Sequence, residues 1–184
     1  MDPLTGDLWA KQDQHVGDRQ RLFEAVAGVV DASDVLYPGS FVDIAPSFVF
    51  PSVTYVDADR RAARFFADRV GSAPTGLADG TFDLLVSLYA GFISEHCTGY
   101  LREGGTLLVN PSHGDAAMAS IYPRYTLSGV VSTGSGTYSV SRENLETYLV
   151  PKTDDVISAE YLHERGRGVA YTRAPYAYLF ERTE

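Results

Sequence analysis

FDLLVSLYAGFISEHCTGYLREGGTLLVNPS, residues 82 to 112, carries the clearest structural rhythm in this chain. FDLLVSLYAG (82 to 91) is a continuous apolar run of strand length, of the kind that is buried on both faces of a parallel sheet. FISEHCTGYLREGG (92 to 105) predicts a helix closed by Gly104, and TLLVNPS (106 to 112) predicts a second buried strand. Strand, helix and strand in that order imply a right-handed crossover and neighbouring parallel strands.

The same alternation extends upstream. DVLYPGS (34 to 40) is a short apolar run ended by Pro38 and Gly39, which predicts a buried strand entering a tight turn. In FVDIAPSFVF (41 to 50), Pro46 and the following Pro51 limit any helix to a short one. SVTYVDAD (52 to 59) is rich in β-branched and aromatic residues and predicts a strand. RRAARFFADRVG (60 to 71) places Ala62, Phe65, Phe66 and Val70 at helical spacing, with Asp59 before it as cap and Gly71 after it. SAPTGLADGT (72 to 81) is then too short for a further strand and helix. Leu22, Phe23, Val26, Val29 and Val30 predict a helix over about 18 to 32 behind a cap at Asp18, and residues 1 to 17 read as an aperiodic, flexible arm.

Downstream, HGDAAMASIY (113 to 122) predicts a helix and YTLSGVVSTGSGTYSVS (125 to 141) a hairpin around a Gly-Ser turn. Helical signals return near Leu145 to Leu149 and near Val156 to Leu162. PYAYLFERT (175 to 183) closes the chain as a strand. The expectation is a single α/β domain of 184 residues with a mostly parallel sheet covered on both faces. Such sheets bind ligands at the carboxyl ends of their strands, so the loops after residues 37, 56, 88 and 110 are where a site is sought.

Fifteen Lys and Arg against 24 Asp and Glu leave a net charge of −9. That charge repels phosphate backbones and anionic lipid, so neither nucleic acid nor membrane is an expected partner. The arginines at 60, 61, 64, 69, 165 and 167 are interleaved with acids and read as solvated faces. No apolar run has the length of a membrane span, and the N-terminus lacks a signal-peptide core. The single cysteine, Cys97, falls on the apolar side of a predicted helix and provides no disulfide framework, so a cytoplasmic location is expected. His15, His96, His113 and His163 are scattered, and no metal is expected.

VLYPGS (35 to 40), VTYVDAD (53 to 59), LADGTFDLLVS (77 to 87) with LREGGTLLVN (101 to 110), and the closing PYAYLFERT together resemble the class I S-adenosylmethionine-dependent methyltransferases. The resemblance implies a Rossmann-like three-layer sandwich whose terminal strand runs antiparallel. It implies S-adenosylmethionine as cofactor and a small molecule as methyl acceptor. It makes Asp57, at a strand end, the carboxylate that accepts both ribose hydroxyls. Tyr37, Gly39 and Ser40 then line the loop after the first strand, with Ala58 beside Asp57 and Ser87 at the end of the strand beginning at 82. Gly39 serves either close ligand approach or a tight turn. Asp59 reads as a helix cap, and Asp79 either helps seat the adenine or is an exposed loop residue.

YPGSFVD departs from the family pattern, with Tyr37, Pro38, Phe41 and Asp43 where an acid and further glycines stand. By location, Tyr89, Asn110 and His113 lie near the expected cleft and are the catalytic candidates. Methyl transfer needs positioning first and a base second, and an imidazole can supply the base. The competing expectation is a non-catalytic binding or interaction domain that kept the fold and lost cofactor binding.

Overall fold

The structure, a computed structural model, describes residues 3–63 and 76–184. One seven-stranded sheet runs through it. Its strands are β1 (Asp34–Pro38), β2 (Ser52–Val56), β3 (Phe82–Ser87), β4 (Leu101–Val109), β5 (Tyr125–Gly134), β6 (Thr137–Ser141) and β7 (Ala177–Arg182), in the order β2-β1-β3-β4-β7-β5-β6. The strands β2, β1, β3 and β4 are mutually parallel. The terminal strand β7 is antiparallel to both β4 and β5, so β5 shares the direction of the first four. The expected α/β sheet, mostly parallel with an antiparallel terminal strand, is the one observed.

Alternation along each strand sorts the core onto two faces, because successive side chains of a strand point to opposite sides. Val35, Tyr37, Leu84, Val86, Leu108 and Leu179 pack with Leu22, Phe23 and Val26 of helix α1 (Pro3–Ala27). Leu36, Leu85, Leu107, Val109, Tyr178 and Phe180 form the other core, against Ala116 to Ala119 of helix α3 (Asp115–Ile121) and Leu162 of helix α4 (Ala159–Arg165). Each buried aliphatic or aromatic side chain contributes about 1.5–3 kcal/mol relative to exposure, which makes this two-sided burial the main stabilising term.

Helix α1 departs from expectation at its start. It begins at Pro3 and ends at Ala27, so the segment read as an arm is helical from residue 3 onward. Asp18 lies inside the helix and caps nothing; its carboxylate accepts instead from Arg21 at 3.0 Å and from the Tyr138 hydroxyl at 2.8 Å.

The helix expected over 92 to 105 is also corrected. Only one turn forms, α2 (Ile93–His96), followed by a 3-10 turn (Thr98–Tyr100), and β4 begins at Leu101. Thr98, Gly99, Gly104 and Gly105 are weak helix formers, whereas Leu101 gains a cross-strand partner in Phe82. The register jumps from Phe82↔Leu101 to Leu84↔Thr106, and Gly104 at φ +73° turns within that bulge rather than closing a helix. Cys97 ends α2, half-buried against the core, and burial pushes its thiol up.

A helix opens at residue 60 and is described to residue 63. Its continuation through Phe65, Phe66, Val70 and Gly71, and the first part of the 72 to 81 connection, lie outside the described residues. Among the described residues, no helix is long and apolar enough to cross a membrane.

Candidate active site at the carboxyl edge of the sheet

Asp57 follows β2 directly, and its two carboxylate oxygens accept from two different backbone amides. Phe41 N donates to Oδ2 at 2.7 Å, and Asp59 N donates to Oδ1 at 2.7 Å. The carboxylate thus ties the loop after β1 to the end of β2. An ionised carboxylate has about four acceptor positions, so roughly two remain for a ligand.

Asp59 serves as the helix cap, as its sequence position predicts. Its Oδ1 accepts from Arg61 N at 2.8 Å, and its backbone carbonyl accepts the first helical bond from Ala63 N. The Arg61 side chain adds bonds at 2.6 to 3.2 Å, and these together hold the Asp59 carboxyl down at about 2. A carboxyl depressed in the folded state adds stability above its ordinary value of 3.8, and that contribution is lost as pH falls towards 2. Asp59→Ala is therefore expected to lower the melting temperature slightly at neutral pH, and the difference from wild type should shrink on acidification. A melting series by circular dichroism checks this.

Gly39 sits at φ +65°, with its N–H donating to Val56 O at 2.8 Å. A Cβ built there would lie 2.4 Å from Ala90 Cβ, so the loops after β1 and β3 touch at this point. Of the two readings of this glycine, the tight turn and its loop packing account for it. Gly39→Ala is expected to cost about 1–2 kcal/mol from the left-handed backbone alone, with the clash adding to it. Urea unfolding of the variant measures the loss.

Ser40 is only 4% exposed, and its hydroxyl is buried without a hydrogen-bond partner. Ala58 is exposed beside Asp57. Tyr37 points elsewhere. Its ring is buried on the α1 face, 6.3 Å from Phe23 and 6.2 Å from Tyr55, and its hydroxyl donates to Asp43 at 3.2 Å. The sequence placed Tyr37 at the right strand end, but the two-residue side-chain period turns its ring into the core.

At the ends of β3 and β4, Tyr89 adopts φ +66°, an unusual backbone for a bulky residue, and remains 50% exposed. Asn110, 2% exposed, accepts from Tyr89 N through its Oδ1 at 3.3 Å, and its own N–H donates to Ser87 O at 3.2 Å. The buried amide thereby fixes the backbone that presents Tyr89. His113 is exposed at φ +58°, with Nδ1 at 2.7 Å from the Ser112 hydroxyl.

Asp79 belongs to a different place. It precedes β3, is exposed, and lies by Gly99 at the amino end of that strand. At about 3.3 Å per residue, the length of β3 separates it from the carboxyl edge by more than 15 Å. Its resemblance-based role at the adenine is set aside on that ground.

Ser87 leads to a group that the sequence reading missed. Its hydroxyl donates to Asp115 Oδ2, and Ser94 adds both its hydroxyl and its N–H, the latter at 3.0 Å to Oδ1. Thr98 continues the network by donating to Ser94 O and meeting the Tyr125 hydroxyl at 2.8 Å. Asp115 is 1% exposed; burial pushes its carboxyl up, with the Ser87 and Ser94 bonds opposing. An Asp directly after Gly114 reads locally as an ordinary helix-start residue, and nothing in the string indicates its burial. Arg19 is the second omission. It lies mid-helix in α1, donates to the Tyr176 hydroxyl at 2.8 Å and stands 5.2 Å from the Tyr89 ring centroid. Among the described residues, no group of three or more His, Cys, Asp or Glu side chains is arranged to hold a metal ion.

No protein-family model matches the chain, and no curated protein matches it in sequence. Solved structures do. An S-adenosylmethionine-dependent methyltransferase from Thermotoga maritima superposes over 100% of both chains with a TM-score of 0.53 at 11% identity. The O-methyltransferase TomG from Streptomyces achromogenes, in complex with S-adenosylmethionine, covers 76% of this chain and 87% of its own with a TM-score of 0.46 at 15% identity. An O-methyltransferase from Bacillus cereus, in complex with S-adenosylhomocysteine, covers 76% and 89% with a TM-score of 0.45 at 13% identity. The mostly parallel sheet, the antiparallel β7 and the full-length superposition agree: this chain has the Rossmann-like fold of the class I S-adenosylmethionine-dependent methyltransferases.

Proposed function

We propose that the protein is an S-adenosylmethionine-dependent methyltransferase acting on a small molecule. The observation that carries this reading is Asp57. A carboxylate at the carboxyl end of β2, held by the amides of Phe41 and Asp59, keeps lone pairs open at the edge where parallel sheets bind ligands.

The residues present fit the cofactor. Asp57 can accept from a diol, and the buried, unpartnered Ser40 hydroxyl in the adjoining loop offers a donor and acceptor that a ligand would satisfy. When bound, the cofactor supplies an electrophilic methyl group. The chain's own part is to orient the acceptor and take up its proton. His113, exposed after β4 with its Nδ1 engaged by Ser112, is the residue we assign as general base. Asn110 acts by positioning, through the Tyr89 backbone it holds.

Thermal-shift titration with S-adenosylmethionine and S-adenosylhomocysteine tests the reading. A ligand at a hundred times its Kd stabilises the native state by roughly 2.7 kcal/mol, which a melting curve resolves. Absence of a shift with either ligand at millimolar concentration would favour a binding domain that has lost the cofactor. Unchanged turnover in His113→Ala, once an acceptor is found, would remove the base from the scheme.

A further inference from the structure

Three tyrosines from distant parts of the sequence meet at the carboxyl edge around one arginine. Tyr89 follows β3. Tyr176 precedes β7, its N–H donating to Val131 O at 2.8 Å, and Tyr138 pairs with Thr133 near the tip of the β5–β6 hairpin. Because β6 and β7 run against the parallel strands, their beginnings lie at the same edge as the end of β3. The Tyr138 and Tyr176 rings meet edge to face, centroids 5.0 Å apart at 71°. The Tyr176 hydroxyl accepts from Arg19 at 2.8 Å, and the same guanidinium lies over the Tyr89 ring, so Arg19 joins the two tyrosines.

Two features set what this cluster can recognise. Arg19 stands 3.8 Å from the Asp43 carboxylate, so its charge is balanced locally and the cluster has no net pull on an anion. Its guanidinium also stands 5.2 Å from the centroid of the half-exposed Tyr89 ring. A cation on one face draws π density towards itself and leaves the ring a better partner for an electron-rich aromatic molecule. The location is apt as well, since Ala90, next in sequence to Tyr89, packs on Gly39 of the loop assigned to the cofactor.

We propose that Tyr89, Tyr138 and Tyr176 form the acceptor subsite, and that it takes a neutral, electron-rich planar aromatic molecule of the phenol, catechol or indole kind. This rests on the methyltransferase reading above. In it, Tyr89 is the platform on which the acceptor ring stacks, and Asn110 sets the platform's orientation.

The test is calorimetric titration of the full chain, saturated with S-adenosylhomocysteine, with catechol and with cyclohexane-1,2-diol, which carries the same two hydroxyls without the ring. Catechol is expected to bind about 3- to 10-fold more tightly than the diol, the scale of one aromatic pair. Tyr89→Ala should erase that preference while leaving S-adenosylhomocysteine affinity unchanged, and Tyr89→Phe should retain it. Equal affinity for the two probes in the loaded wild type, or an undiminished preference in Tyr89→Ala, overturns the subsite. If the wild type binds no S-adenosylhomocysteine, the methyltransferase reading fails separately. The same pair of titrations on the unliganded chain then decides the aromatic site alone: a Tyr89-dependent preference keeps it, and no preference removes it.

Discussion

Asp115→Ala is expected to destabilise the protein by about 3 kcal/mol or more, because it strands several buried donors that each cost about 1–3 kcal/mol when unpaired. Those donors are the Ser87 hydroxyl and the hydroxyl and N–H of Ser94, all directed at one carboxylate. The variant also disconnects β3 from α2 and α3, since Ser87, Ser94 and Asp115 sit one on each. Asp115→Asn should behave differently. Its Oδ1 can accept from Ser94 while its Nδ2 donates to the Ser87 oxygen, so the loss should be under about 1 kcal/mol, the net value of an ordinary hydrogen bond. The pH dependence separates the two effects. A carboxyl whose value is raised in the folded state contributes stability that is complete below its ordinary value of 3.8 and is lost as pH rises through the folded value. Asn cannot titrate, so Asp115→Asn should gain on wild type between about pH 4 and about pH 8. Urea midpoints at both pH values measure this. Equal stability of Asp115→Ala and wild type would show that the network carries no weight.

Asp57→Ala has the largest expected effect on binding. Removing a charged acceptor from a ribose diol should weaken S-adenosylmethionine binding by about 1.5–3 kcal/mol, which is roughly 10- to 150-fold in Kd. The fold will not be untouched, as the sequence alone would suggest, because Phe41 N and Asp59 N lose their acceptor. A fall in melting temperature should accompany the affinity loss. Asp57→Asn helps to divide the two, since its remaining oxygen can still accept one of the amides. Calorimetry well below the melting transition reads affinity from folded protein in each case. A Kd for Asp57→Ala equal to that of wild type would exclude Asp57 from the cofactor site.

The sequence by itself determined the sheet. Apolar runs within 34 to 40, 82 to 91 and 106 to 112 marked buried strands, the β-branched and aromatic stretch 52 to 59 marked the half-exposed edge strand β2, and the closing PYAYLFERT supplied β7. It also located the cap at Asp59, whose bonds to Arg61 are local, and it placed Asp57 at the end of β2, whereas the bond from Phe41 N to Asp57 joins residues 16 apart. Tertiary structure alone decided the rest. Whether 101 to 105 became helix or strand turned on the pairing of Leu101 with Phe82, a contact between residues 19 apart. The direction of Tyr37 followed from which face of the sheet α1 covers, and the removal of Asp79 from the site followed from the direction of β3. Asp115 and Arg19 look like surface residues in the string. Their roles come from Ser87, Ser94, Tyr89 and Tyr176, brought to them by strand order, and local sequence holds no record of such long-range neighbours.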